Sequence, residues 1–458
     1  MKEEIVNKLK EIVGENWVIT ELELIKSYLT DETAEPARPK PSTDVVLVKP
    51  ASTEEVSEIL KLANRYKIPV YPRGGGTGLV GGCIPTKGGI VLSLERMDKI
   101  EIDRDNLMAI AEAGVTLSKL IEEAEKAGLF FPAHPGDEGA HVGGLVACNA
   151  GGVRAVKTGV MRNYVKGLEV VLPTGDILNL GGKLIKDNTG YDLMQLFIGS
   201  EGTLGVITKV VLRLYPKWGA TLTLIVPFND RHNAIRASPR ILQSGVIPLA
   251  LEYVERDLVE LSAKHLGLTW PCKEGKAYLL IILAEPTEEA VYAECETIAQ
   301  VCSELGALEP LVAETRREQD EILKIRSNIY IVLKPEVVDI LDVSVPPATV
   351  GILLDKIDEI ASKYNTKIPV YGHVGDGNLH PHIMKTEGWT EEDYERVKEE
   401  IYKITIELGG TITGEHGIGA IRKKYLKMFL SDKELKIMRA IKRVFDPNNI
   451  LNPDKVLP

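Results

Sequence analysis

Two textures of hydrophobic patterning divide this chain. Over 43–215 short apolar runs alternate with helical spacing. The runs 45–48, 70–71, 90–94 and 168–172 have the length and β-branched content of strands, and 54–66 repeats its apolar positions at helical intervals. Glycine is dense here, clustered at 74–82, 143–152 and 199–205. Glycine costs backbone entropy, so such clusters mark places where the main chain must approach a ligand closely. From 221 to 381 the runs lengthen and glycine thins: 222–226, 277–283, 338–345 and 369–372 read as strands, with helices near 287–304 and 349–363. Over 391–408, Val397, Ile401, Ile404 and Leu408 form one stripe, and the charges between them make a solvated face. A helical segment over 1–35 and a connector broken by Pro36, Pro39 and Pro41 precede the first texture. The chain closes on a polar tail, Phe445-Asp-Pro-Asn-Asn-Ile-Leu-Asn-Pro-Asp454. Strand runs mixed with helices in this way predict an α+β protein.

Composition narrows the function classes. A chain of 458 residues holds about two or three domains with full cores. The hydrophobic fraction of 44% and the charged fraction of 26% are those of a globular protein. A net charge of -11 argues against nucleic acid or an anionic membrane surface as the main partner. No run approaches the apolar length of a membrane span. Cys83, Cys148, Cys272, Cys295 and Cys302 are odd in number, scattered and without C-x-x-C spacing. They imply neither a disulfide framework nor an iron-sulfur cluster, and a reducing, cytoplasmic location is expected. Attachment to a membrane through a partner subunit stays open.

The first glycine block, Pro72-Arg-Gly-Gly-Gly-Thr-Gly-Leu-Val-Gly-Gly82, follows a strand and contains a G-x-G-x-x-G match, with Glu95 near the spacing of an acidic ribose ligand. A dinucleotide fold of the NAD type needs the last glycine to open a helix. Here the chain continues Cys83-Ile-Pro-Thr-Lys-Gly-Gly89, which no helix accommodates. The loop still suits phosphate, because consecutive glycines let several N–H groups converge on one anion. The blocks Pro135-Gly-Asp-Glu-Gly-Ala-His-Val-Gly-Gly-Leu-Val-Ala-Cys-Asn-Ala-Gly-Gly152 and Ile198-Gly-Ser-Glu-Gly-Thr-Leu-Gly-Val-Ile-Thr208 repeat the close-approach logic. Three such blocks suggest one elongated ligand held mostly by backbone.

Four of the eight histidines, His373, His380, His382 and His416, fall near the C-terminus, and Glu415 adjoins the last. Tyr371-Gly-His-Val-Gly-Asp-Gly-Asn-Leu-His-Pro-His382 reads as a hairpin turning at Gly375-Asp-Gly-Asn378. His380 and His382 then share a face, and His373 approaches His380 from the opposite strand. Gly409-Gly-Thr-Ile-Thr-Gly-Glu-His-Gly-Ile-Gly419 is too glycine-rich for a helix and holds Glu415 and His416 on a loop. Two imidazoles and a carboxylate suit zinc or a similar divalent ion with a position left for substrate. The alternative is that each histidine merely hydrogen-bonds locally.

In motif order, from Thr43 to Val456, the chain resembles flavoproteins of the vanillyl-alcohol-oxidase fold, in the branch of D-lactate dehydrogenases, glycolate oxidase flavin subunits and D-2-hydroxyglutarate dehydrogenases. The resemblance implies an FAD-binding domain over 1–217, with its core at 43–217, a cap or substrate domain over 218–425 that is again α+β, and a C-terminal segment over 426–458 that packs on the FAD domain. It implies FAD contacts at Arg73, Gly74, Gly75, Gly76, Thr77, Gly78, Asp137, Gly139, Ala140, Gly144, Asn149, Gly152, Gly159, Glu201, Gly202, Ile207 and Asn452. The first loop lacks the histidine through which some relatives attach the flavin, so the FAD is expected to be noncovalent. His373, His380 and Glu415 correspond to metal ligands, for zinc or manganese, His416 to a base near the substrate, and Arg326 to a clamp for the substrate carboxylate, a task suited to a planar guanidinium. His382 stands where the 2-hydroxyglutarate branch has asparagine, and Tyr330 and Ile340 replace polar contacts there, which favours a small substrate of the lactate or glycolate type.

The implied reaction is oxidation of a D-2-hydroxy acid to the 2-oxo acid. Electrons then pass to a separate acceptor: a quinone, a cytochrome, an electron-transfer flavoprotein or an iron-sulfur subunit. A homodimer is compatible with the sequence. The competing readings are an enzyme like alkyl-glycerone-phosphate synthase and a subunit of an electron-transfer complex with no activity alone.

Overall fold

The computed structural model describes residues 2–458, which cluster into two compact units. The first comprises Met1–Ala150, Val160–Lys217 and Glu415–Pro458; the second comprises Gly151–Gly159 and Trp218–Gly414.

The first unit contains two main sheets. In one, Val45–Val48, Gly89–Ser93 and Val70–Arg73 run parallel, with Val18–Ile19 added antiparallel at the edge. Parallel strands need a crossover, and the helix Thr53–Tyr66 supplies it. Ser52 caps that helix by accepting the Glu55 N–H at 3.2 Å, and Val56, Ile59, Leu60 and Ala63 are fully buried on its inner face. Each of the larger aliphatic side chains there contributes about 1.5–3 kcal/mol. The other sheet is antiparallel, in the order Ile100–Asp103, Met108–Glu112, Val206–Arg213, Val165–Val171, Ile177–Gly181. The C-terminal tail is tied to the first sheet, because the Val70 N–H donates to the Ile450 carbonyl and the Asn452 N–H to the Val70 carbonyl, each at 2.8 Å.

The second unit is built on one sheet in the order Leu311–Ala313, Ala220–Phe228, Ala277–Glu285, Ala250–Glu255, Val370–His373, Asn378–Met384, Val337–Ile340, with Val343–Ser344 also paired to Asn378–Met384. The pairings are antiparallel, and the central strands are buried along nearly their whole length. Helices Arg231–Gln243, Glu288–Glu304, Val350–Lys363 and Glu391–Glu407 accompany it.

One expectation needs correction. The run 338–345 is two strands, interrupted after Ile340, where Asp342 turns its carboxylate to the Thr413 hydroxyl and the Gly414 N–H, far along the chain. Just before the polar tail, where the sequence reading placed no element, stands a helix, Asp432–Phe445, opened by a capping box in which Ser431 and Glu434 satisfy each other's N–H groups. The second unit runs to Gly414 and also takes in Gly151–Gly159. The local bonds account for the first boundary: the Gly414 N–H is held by Asp342, whereas the Ile418 and Gly419 N–H groups are held by Glu201.

Candidate active site

The three glycine blocks of the first unit converge. A Cβ on Gly75 would stand 2.7 Å from the Gly139 carbonyl oxygen, and one on Gly74 would stand 3.2 Å from the His141 Cβ. These gaps admit only glycine without rearrangement, so the first and second blocks touch through their main chains. The third joins them: the Glu201 N–H donates to the Ala147 carbonyl at 2.8 Å, and Gly199 to Val146 at 3.1 Å. Asn452 closes the group by donating its amide to the carbonyls of Gly82 (2.9 Å) and Glu201 (2.8 Å).

Among the described residues, the N–H groups of Gly74, Gly75, Gly76, Thr77 and Gly78 have no protein acceptor. Orphan donors on a glycine loop form an anion cradle. Asn452 Oδ1, Ser200 Oγ and His141 Nδ1 are also buried without a protein partner. Buried polar atoms are rarely left so, and these fit a polar ligand that supplies the missing partners. The donor set and the glycine cradle therefore suit FAD. The Arg73 guanidinium also has partners within the protein. It donates to the carbonyls of Thr30 (2.7 Å) and Ser27 (3.1 Å) and lies so close to Gly76, at φ +75°, that no Cβ fits between them. It braces the loop from beneath.

The other expected cofactor residues divide into four groups. Asp137 Oδ1 accepts the Gly139 N–H at 2.7 Å and shapes the turn that leads to Ala140. Asn149, in the left-handed region at φ +57°, ends the helix Val142–Cys148, which carries Gly144, and accepts the Arg162 N–H at 2.9 Å. Gly202 packs against Pro72, and Ile207 is buried opposite Val170. Gly152 and Gly159, both with positive φ, flank the short helix Ala155–Thr158 within the second unit.

Glu201 has a task that sequence reasoning did not assign. Its two carboxylate oxygens accept the N–H groups of Ile418 and Gly419, each at 2.8 Å, and a Cβ on Gly417 would stand 2.9 Å from its Cδ. Burial pushes its carboxyl up, and those two N–H bonds oppose the rise. Cys148 donates its thiol to the Glu415 carbonyl at 3.2 Å. The loop bearing Glu415 and His416 is thus held at Glu415 and just after the pair by residues of the second and third glycine blocks. His416 Nε2 lies 3.9 Å from Glu415 Oε1.

In the second unit, Val370–His373 and Asn378–Met384 form the expected hairpin, with Tyr371 opposite His380 and His373 opposite Asn378. Its turn requires glycine at 377, where φ is +83° and a Cβ would collide with the Val345 carbonyl. The rings of His373 and His380 lie 5.3 Å apart at 85°. His382 is fully buried, donates Nδ1–H to the His380 carbonyl at 2.7 Å and stacks on Tyr371 at 4.9 Å. Tyr330 and Ile340 both adjoin it: the Tyr330 ring centroid is 6.3 Å away, and Ile340 is its partner across the strand pair. The three residues expected to set substrate size therefore meet.

Arg326 reaches this group from the helix Arg316–Ser327. Its guanidinium lies 4.6 Å from the Tyr371 ring centroid and donates Nε–H to Glu252 at 2.9 Å, with Nη2 on the same oxygen. The other oxygen of Glu252 faces His373 Nδ1. Burial alone would push the Glu252 carboxyl up, but the opposing charges of His373 and Arg326 and their hydrogen bonds bring it down to about 2. Burial pushes the Tyr371 hydroxyl up to about 12 despite Arg326 beside it. His380 Nδ1 lies 3.7 Å from Asp342 Oδ1, and Asp342 also accepts from Asn378 (2.9 Å), the Thr413 hydroxyl (2.7 Å) and the Gly414 N–H (2.9 Å). Glu415 is the next residue in the chain. Sequence reasoning missed Glu252 and Asp342. The available signal was a lone carboxylate inside an apolar strand run, since an unpaired buried charge is too costly to keep.

The chain matches known proteins over nearly its whole length. The family described as FAD linked oxidases, C-terminal domain, matches residues 219–456, and an FAD binding domain matches 45–181. A D-lactate dehydrogenase of Archaeoglobus fulgidus is 45% identical over 94% of this chain and 95% of its own length. The glycolate oxidase subunit GlcD of Bacillus subtilis is 39% identical over 90% and 88%. The fold of an alkyldihydroxyacetonephosphate synthase superposes with a TM-score of 0.77 over 99% of this chain and 86% of that one, at 20% identity, a likeness of fold alone.

Proposed function

The chain belongs to the FAD-linked oxidases, and we propose that it oxidises a small D-2-hydroxy acid of the lactate or glycolate type to the 2-oxo acid, passing electrons to a separate acceptor. One observation carries the substrate class: a buried guanidinium, Arg326, shares a cluster with two buried imidazoles, His373 and His380. A guanidinium pairs with a carboxylate in a fixed plane, and two imidazoles with a carboxylate suit a divalent ion that binds a neighbouring hydroxyl. Those two functions sit on adjacent carbons in a 2-hydroxy acid.

FAD supplies the hydride acceptor, and zinc or manganese lowers the hydroxyl pKa. The residues proposed to hold the metal are His373, His380 and Glu415. The first two come from the hairpin, and Glu415 directly follows the Gly414 N–H that Asp342 anchors. Arg326 orients the substrate carboxylate and His416 accepts the hydroxyl proton. His382, Tyr330 and Ile340 fill the space that a longer substrate would need, which supports a small substrate side chain.

The test is a steady-state screen of D- and L-lactate, glycolate and D-2-hydroxyglutarate with a dye acceptor, with metal content measured on the same sample. D-lactate or glycolate is expected to give the highest kcat/KM. Preference for an L-enantiomer or for 2-hydroxyglutarate would overturn the substrate assignment.

A further inference from the structure

Glu252 is a buried charge of the second unit that the proposed chemistry leaves unused. It stands on the strand Ala250–Glu255, 1% exposed, more than a hundred residues from His373 in sequence. One carboxylate oxygen pairs with His373 Nδ1, and the other takes both Nε and Nη2 of Arg326. A carboxylate on Nδ1 fixes the imidazole in the tautomer whose Nε2 carries the lone pair, and ligands held this way bind metal more tightly. The contact with Arg326 uses one edge of the guanidinium and fixes its plane against Tyr371, which leaves the Nη1 group for another acceptor.

We propose that Glu252 is a positioning residue that sets a metal ligand and the substrate clamp at once, so that ion and carboxylate are presented in one fixed spacing. The inference rests on the reading of His373 as a ligand and Arg326 as a clamp. A single buried anion shared by two donors fixes both: removing it frees both at once, whereas removing Arg326 leaves the His373 contact in place. A carboxylate needed only for folding would couple nothing.

The experiment uses the full-length protein with FAD bound and compares Glu252→Gln, Arg326→Gln and the double variant, which leaves no half-charged buried pair if the first fails to fold. Zinc affinity is measured by chelator competition, KM by the dye assay, and FAD content by absorbance. Glu252→Gln, or the double variant in its place, is expected to weaken zinc by roughly 10- to 100-fold. Arg326→Gln keeps zinc within about twofold while its KM rises by roughly tenfold or more. FAD content stays that of the wild type throughout, which separates positioning from general loss of structure. Wild-type zinc affinity in both Glu252 variants overturns the inference. Wild-type protein that binds no zinc overturns the functional reading as well.

Discussion

Main-chain groups do in the first unit what side chains do in the second. The cradle at Gly74–Gly78 is made of N–H groups, its neighbours approach at distances that exclude a Cβ, and the one nearby guanidinium, Arg73, faces inward to brace the loop. The second unit places Glu252, Arg326, His373, His380 and Asp342 on strands and a helix of a buried sheet and neutralises them against one another. The first arrangement suits a large cofactor common to many reactions. The second suits a small substrate whose identity depends on a few charges. A backbone-built site tolerates changes in side chains but not added volume; a site built from buried charges tolerates neither loss nor exchange of a partner.

Four perturbations would break or sharpen that contrast, taken from the largest expected effect. His416→Ala is expected to lower kcat by roughly 10²–10⁴, the range for a lost general base, with FAD retained. Turnover within tenfold of wild type, measured with a dye acceptor, would remove its role. Chelation is expected to abolish most activity and leave the flavin absorbance of the oxidised protein unchanged, and zinc or manganese to restore it. Full activity in protein that elemental analysis finds free of metal would end the coordination proposal. Gly75→Val places a side chain against the Gly139 carbonyl and is expected to weaken FAD retention by roughly tenfold or more. If FAD titration of that variant matches wild type, the cradle is not where the pyrophosphate sits. His382→Asn, the smallest change, is expected to shift kcat/KM towards 2-hydroxyglutarate over lactate by about tenfold or less. An unchanged ratio would show that this stacked imidazole supports Tyr371 and does not select substrate.

The same contrast explains what was legible in the sequence. Glycine blocks announce themselves by local density, so the three cofactor segments were readable before their contacts were known. Hairpin chemistry is local too, and Gly375-Asp-Gly-Asn378 set the register that brings His373 towards His380. Glu252 and Asp342 left only the signal of a carboxylate in an apolar run, and their roles were not readable, because each is defined by a partner distant in sequence: His373 for one, Gly414 for the other. A break beside Asp342 also splits a run that apolar pattern alone had joined. The helix Asp432–Phe445 was within reach, since Ser431 and Glu434 spell a capping box, a signal that the sequence reasoning left unused.

The most direct test of the central claim is anaerobic mixing of the purified flavoprotein with D-lactate or glycolate while the flavin's visible absorbance is followed. The absorbance is expected to bleach to the fully reduced form with the preferred acid, in the absence of any acceptor. A flavin that stays oxidised in the presence of every small 2-hydroxy acid, in protein containing both FAD and metal, would contradict the account.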